Sequence, residues 1–312
     1  MSVEKTGRPQ LSPELFNPVQ TDIEESEKLS GPPIGFWKDS WIRLKKNKGA
    51  IISLAVILIL MVLAIVGPWL TPYNTFSQDV TNRFAGPSAE HWFGTDSFGR
   101  DLFTRVWDGT RVSLYIAFLA AFIDLVIGVA YGSISGFVGG RVDDVMQRII
   151  EILYGIPNLV ILVLIMLILQ PGILTITLAL VITGWAPMAR LVRARVLQLK
   201  EQEFSLASLS LGAGGGRLIR KHLLPNSLGI IIIQLMFTIP NAIFFEAFLS
   251  FIGLGIQVPQ ASLGALINDG YTQLRLHPHV LWFPVIVFSL LMLAFNLFAD
   301  GLRDAFDPKM RK

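Results

Sequence analysis

Residues 50–70, AIISLAVILILMVLAIVGPWL, run for a full helix length without a charge. About 20 apolar residues in a row are what an α-helix needs to cross the hydrocarbon core of a bilayer. Five further stretches, at 113–138, 149–169, 172–189, 228–252 and 280–299, are long enough to cross or nearly so. The fourth is the shortest, and Pro187 lies near its end, where a proline bends or closes a helix. The pattern predicts an all-α membrane protein with six transmembrane helices. Composition agrees, with 16% charged residues against about 25% in a soluble domain.

Six crossings put both termini on one side, and the basic residues say which. With cytoplasmic termini, 21 of the 26 Lys and Arg fall on inside segments and 5 outside, the bias that orients membrane proteins. The chain then divides into a polar N-terminal tail (1–36), an interfacial helix with the first transmembrane helix (37–70) and an extracytoplasmic loop (71–112). A five-helix core (113–300) with a large cytoplasmic loop (190–227) follows, and then a cytoplasmic C-terminal tail (301–312). The first segment carries Asp22, Glu24, Glu25 and Glu27 and no apolar core of a signal peptide, so it reads as a tail and not a cleaved leader. Trp37 and Trp41 among Lys38, Arg43, Lys45, Lys46 and Lys48 mark a helix seated in lipid headgroups.

Several function classes drop out. The chain has no cysteine, hence no disulfide, thiolate metal site or cysteine nucleophile. Its net charge of +3 is accounted for by cations flanking the spans and calls for no nucleic acid. His91, His277 and His279 come without the further ligands that would specify a metal site. No nucleophile with a base suggests an enzyme.

Polar residues inside the spans mark either a path or a packed interface. An ionisable group facing lipid costs about 2.5–3.5 kcal/mol, so Asp124 and Glu246 are expected to face protein or water. Asp124, Gln234, Asn241 and Glu246 are the candidates for a translocation path, and hydrogen bonds between helices are the alternative for the two acids. Glu151 lies near a cytoplasmic end, where its carboxylate can snorkel. Pro240 with Asn241 is expected to bend the fifth span, and Gly128, Gly132, Gly136, Gly139 and Gly140 suit close helix packing.

The cytoplasmic stretch FSLASLSLGAGGGRLIRKHLLPN, 204–226, reads as helix, glycine turn, helix, closed at Pro225. Its glycines lack phosphate-loop spacing, and no strand precedes them. On physics alone it either meets anionic lipid or docks on protein. The stretch resembles the EAA loop of ABC-importer permeases: Glu-Ala-Ala, three residues, Gly, nine residues, Ile-x-Leu-Pro. Leu206, Ala207, Ser208, Gly212, His222, Leu224 and Pro225 stand at those positions, with Leu206 replacing the Glu and His222 the Ile. HWFGTDSFGRDLFTRVWDGTRVSL (91–114), EAFLSFIGLGI (246–256) and DGLRDAFDPKMRK (300–312) resemble the oligopeptide, dipeptide and nickel branch of that family, closest to the oligopeptide C-type subunit.

That resemblance implies a type I importer permease core, without a cofactor of its own, in a bacterial cell membrane. The loop, with Arg217 among its residues, would insert into an ATP-hydrolysing subunit. ATP and Mg²⁺ would sit on two such partners, and a second permease subunit would complete the path. An extracytoplasmic peptide-binding protein would deliver peptide. Phe93, Asp96, Arg100 and Asp101 would form its docking surface, or else serve only to tie the outer turns together. The rival is a secondary transporter driven by an ion gradient, which calls for paired membrane carboxylates and inverted repeats.

Overall fold

The computed structural model describes residues 35–257 and 259–306. The expected N-terminal tail, apart from its last two residues, and positions 307–312 of the C-terminal tail lie outside the described residues. The helices are α1 (Phe36–Lys46), α2 (Lys48–Val66), α3 (Leu102–Val138), α4 (Gly140–Gly155), α5 (Asn158–Ile168), α6 (Ile173–Lys200), α7 (Glu203–Ser210), α8 (Gly215–Leu218), α9 (Leu228–Phe251), α10 (Leu263–Gln273) and α11 (His279–Phe306). Cα packing separates residues up to Ile42 from one large unit that begins at Arg43.

Within the large unit, α2 starts where Asn47 accepts a hydrogen bond from the Ala50 amide at 3.1 Å, satisfying one of the donors that a helix start leaves free. Asp101 does the same for α3, accepting from the Thr104 amide at 2.8 Å. This cap places the start of the second span at Leu102 and not at 113, so the outer loop is shorter than expected. Arg105, Asp108 and Arg111 interrupt the apolar run without interrupting the helix.

α3 and α6 form the spine, and glycine sets their spacing. A Cβ on Gly128 would meet Met188 Cβ at 2.6 Å, on Gly132 the Ala189 carbonyl at 2.3 Å, and on Gly136 the Arg193 carbonyl at 2.8 Å. The partners advance together, so the two helices run parallel at backbone contact. Gly139 and Gly140 do something else: with φ of +70° and +55°, and open space where a Cβ would stand, they make the turn into α4.

Two parallel helices require the chain between them to return across the membrane, and α4 with α5 does so. Asp143 pairs with Arg193, Ile150 packs with Ala186 and Ala189, and Asn158 accepts a hydrogen bond from Thr183, so the pair runs antiparallel to α6. The third span, expected over 149–169, is therefore drawn from residues 140–168. It is two helices bent by 80° at Ile156 and Pro157, because proline cannot extend the helix before it. Counting the pair as one span gives six crossings; the other five are single long stretches.

Two further prolines do not act as boundaries. α6 continues through Pro187 to Lys200, well past the expected end at 189. The segment 215–251 passes through Pro225 as a continuous helical path. There a π-turn precedes the proline, with the Leu224 amide donating to the Ile219 carbonyl at 2.9 Å. The carbonyls of His222 and Leu223 accept instead from Asn226 Nδ2 and Ser227 Oγ, both at 2.7 Å. α11 reaches Phe306, taking in residues assigned to the tail.

The ends sort as the basic residues demand. A Cβ on Gly301, near the end of α11, would touch Ala50 at the start of α2, so the first and last spans share one face of the bundle. At the opposite face, Gly67 abuts Trp107, and Thr71 and Thr104 share a hydrogen bond of 2.7 Å.

Candidate functional site

On the inner face, the expected helix–glycine–helix forms with α7, Gly212 and α8. Gly212 adopts φ +82°, the left-handed conformation that ends helices and that side chains resist. The Ala213 amide donates to the Ser208 carbonyl at 3.0 Å, closing the turn. The loop is anchored at its ends: Ser205 Oγ donates to the Leu199 carbonyl at 2.7 Å, and Leu218 and Leu223 are buried with Val192 and Val196 of α6. Gly215 sits where a Cβ would press on Phe137 at 2.4 Å.

Between these anchors the loop turns apolar side chains outward. Leu211 is 89% exposed and Leu206 52%, with Phe204 and Leu209 beside them. Ala207, Gly212, Arg217 and Pro225 are exposed, while Ser208, His222 and Leu224 are half-buried. The carbonyls of Phe204 and Leu206 accept from Ser208 Oγ and Ser210 Oγ, so the hydroxyls serve the helix itself.

On the outer face, Asp96, Arg100 and Asp101 are each only 2% exposed. Asp96 Oδ1 accepts from the amides of Phe98 at 2.8 Å and Arg100 at 3.0 Å, and Oδ2 pairs with Arg100 Nε at 2.7 Å and Arg105 Nε at 3.2 Å. Asp101, besides capping α3, meets His91 Nδ1 at 2.8 Å. Arg105 reaches the carbonyls of Thr75 and Pro259. Phe93 stacks on Phe283 of α11 at 4.1 Å, and Phe84 on His277 at 4.2 Å. The three charged candidates for a docking surface thus face inward and tie turns together. Asp269 of α10 stands close enough to feel this cluster: burial pushes its carboxyl above the usual carboxylate value, an effect that Arg105 and Arg100 partly offset.

The path candidates are scattered. Glu246 is fully buried, accepting from Ser113 Oγ at 2.6 Å and Ser250 Oγ at 2.9 Å. The same Ser113 Oγ accepts from the Leu263 amide at 3.3 Å. The carboxylate thereby joins α3, α9 and the start of α10. Asp124 is buried against Gly184 of α6, where a Cβ would lie 2.1 Å from its Oδ2. Gln234 is half-buried and Asn241 exposed on α9.

Two features escaped the sequence reading. α10 was not expected, although Ser262 caps it by accepting from the Ala265 amide at 3.3 Å. The inner cluster in which Asp143 takes Arg193 Nε at 2.6 Å and Nη2 at 2.5 Å, with Ser135 donating to the same carboxylate, joins α3, α4 and α6 across the sequence.

Residues 128–312 match the family described as binding-protein-dependent transport system inner membrane component. Residues 35–87 match the N-terminal TM domain of oligopeptide transport permease C. The chain is 50% identical to the dipeptide transport system permease protein DppC of Bacillus subtilis (strain 168), over 97% of this chain and 95% of that one. It is 46% identical to the oligopeptide transport system permease protein OppC of the same organism, over 96% and 98%. Among solved structures, it resembles a chain of the MetNI methionine ABC transporter in an inward-facing conformation, with 21% identity, a TM-score of 0.47 and coverage of 62% of this chain and 94% of that one.

Proposed function

The chain belongs to the inner membrane components of binding-protein-dependent transport systems, and from that premise we propose that it forms half of the translocation path of an ATP-driven peptide importer. It is a multi-pass membrane permease subunit of an ABC peptide transport system, working in a complex whose ATPase subunits hydrolyse the nucleotide. In our reading, a second permease subunit completes the path, two ATPase subunits seat on the inner loops, and an extracytoplasmic peptide-binding protein delivers cargo.

The observation that carries the coupling role is the inner loop. The loop is held at its two ends, by Ser205 to α6 and by Leu218 and Leu223 against α6 and α9, while presenting Leu206, Leu209 and Leu211 to the outside. An apolar knob on a braced support suits insertion into a cleft of a partner, since burying apolar area drives association. With Leu206 in place of a charged residue, the contact is apolar where the family's loop uses Glu. Closure of the ATPases on ATP would press on this support, move α6 and α9 together, and switch the path between inward and outward access as a rigid-body transition.

The test is co-purification of the tagged full chain from its native membrane in mild detergent, with and without residues 204–226, followed by identification of partners and an ATPase assay. Loop-dependent recovery of ATPase subunits and a second permease supports the reading. Recovery of the chain alone from intact preparations contradicts it.

A further inference from the structure

At the inner end of the bundle, a depression of about 800 Å³ opens between α4 and α6, lined by Asp144, Gln147, Arg148, Glu151, Arg190 and Arg193 among others. Its size lies within the range of small-molecule sites, roughly 300–1,000 Å³. We infer that it is the cytoplasmic mouth of the translocation path and engages the charged ends of a zwitterionic peptide leaving the transporter. This rests on the peptide-importer reading above.

α4 carries two exposed stripes side by side. One is apolar: Val142, Val145, Ile149 and Ile152. The other is charged: Asp144, Arg148 and Glu151, with the Arg148 side chain 77% and Glu151 55% exposed. α4 belongs to a membrane crossing, as its antiparallel pairing with α6 requires. A crossing helix that is apolar on one outward face and charged on the next stands between a dry surface and a wet one, because charge is not stable against lipid. The depression takes in the charged stripe, with Val145 of the apolar stripe at its border, so the water lies on the charged side.

Inside it, most charges are already matched. Arg193 is held by Asp143, and Arg148 pairs with Glu151 at 3.1 Å. Arg190 and Asp144 are different: the Arg190 guanidinium lies over the Tyr154 ring, 4.3 Å from its centroid, and among the described residues neither Arg190 nor Asp144 is in an ion pair. One cation and one anion outside any ion pair, Asp144 also standing near Arg193, match the carboxylate and ammonium of a free peptide. Arg190, oriented by the aromatic face, would take the carboxylate. Asp144 would take the ammonium.

The experiment uses the complete transporter with its binding protein in proteoliposomes and follows ATP-driven uptake of trialanine, trialanine amide and N-acetyl-trialanine. A charge-assisted contact is worth enough for about a tenfold change. Arg190→Gln is expected to lower uptake of trialanine about tenfold relative to trialanine amide, and Asp144→Asn to do the same relative to N-acetyl-trialanine. Because the chain has no cysteine, Gln147→Cys supplies a second readout: an impermeant maleimide added from the inner side labels it, and labelling slows during trialanine transport. Equal losses for all three peptides, or labelling that transport leaves unchanged, overturn the proposal. So does an effect of Arg190→Gln that follows anionic lipid content and not peptide termini, which would make this a headgroup site. Failure of the wild-type complex to take up any of the three counts against the importer reading itself.

Discussion

The outer seat and the inner loop are both polar segments placed between apolar helices, yet they are held in opposite ways. Around Asp96 the charges turn inward, and each carboxylate oxygen meets amides or guanidinium groups. Around Gly212 the leucines turn outward, and the loop is tied by hydroxyl-to-backbone bonds and by buried leucines at one end. The difference teaches that the outer segment is finished within this chain, whereas the inner loop leaves its apolar surface for another protein to cover.

Substitutions can break that contrast, and the largest effect belongs to the outer seat. Asp96→Ala leaves Arg100 and Arg105 buried without their shared carboxylate, at a cost of about 3–5 kcal/mol. The expected outcome is loss of monodisperse protein on size-exclusion chromatography. Glu246→Leu removes the acceptor of Ser113 and Ser250 and is expected to lower stability by about 1–3 kcal/mol, read as a drop in thermal midpoint in detergent. Glu246→Gln should recover most of that drop, which it would not if the charge itself were needed.

At the inner loop the effects on stability shrink while those on coupling grow. Gly212→Val puts a β-branched residue at φ +82°, a local strain of about 1–3 kcal/mol. Since a Cβ at that position would meet no atom within 4 Å, the bundle should stay folded while ATP hydrolysis no longer drives uptake. Peptide uptake at the wild-type level in that variant contradicts the role of the turn. Leu211→Asp, at the most exposed position of the loop, is expected to shift stability by less than about 0.5 kcal/mol. It should nonetheless release the ATPase subunits on purification.

How much of this was legible depends on the range of the interactions. The spans could be read because twenty apolar residues announce themselves locally, and the inner loop because Gly212 and its flanking segments form a local pattern. The first turns of α3 were hidden by Arg105, Asp108 and Arg111, whose charges look like loop until Asp96 and neighbouring groups are seen to receive them. The break at Pro157 and the passage through Pro187 and Pro225 are opposite outcomes for one residue type. At Pro225 the helical path is kept by a π-turn before it and by Asn226 and Ser227, which donate to the carbonyls of His222 and Leu223. Spacing marks Asp96 and Asp101 as turn residues, but the partners that turn them inward, Arg105 and His91, are not assigned by spacing.

The central claim is that an ATPase covers the inner loop, and thiol cross-linking tests it most directly. In the cysteine-free chain, Leu211→Cys and the control Leu167→Cys, exposed on α5 away from the inner loop, would each be treated with a short bifunctional thiol–amine reagent in native membranes. The account predicts an adduct of this chain with an ATP-hydrolysing subunit from Leu211→Cys and none from Leu167→Cys. An intact complex in which Leu211→Cys links only to lipid or to the second permease would contradict it.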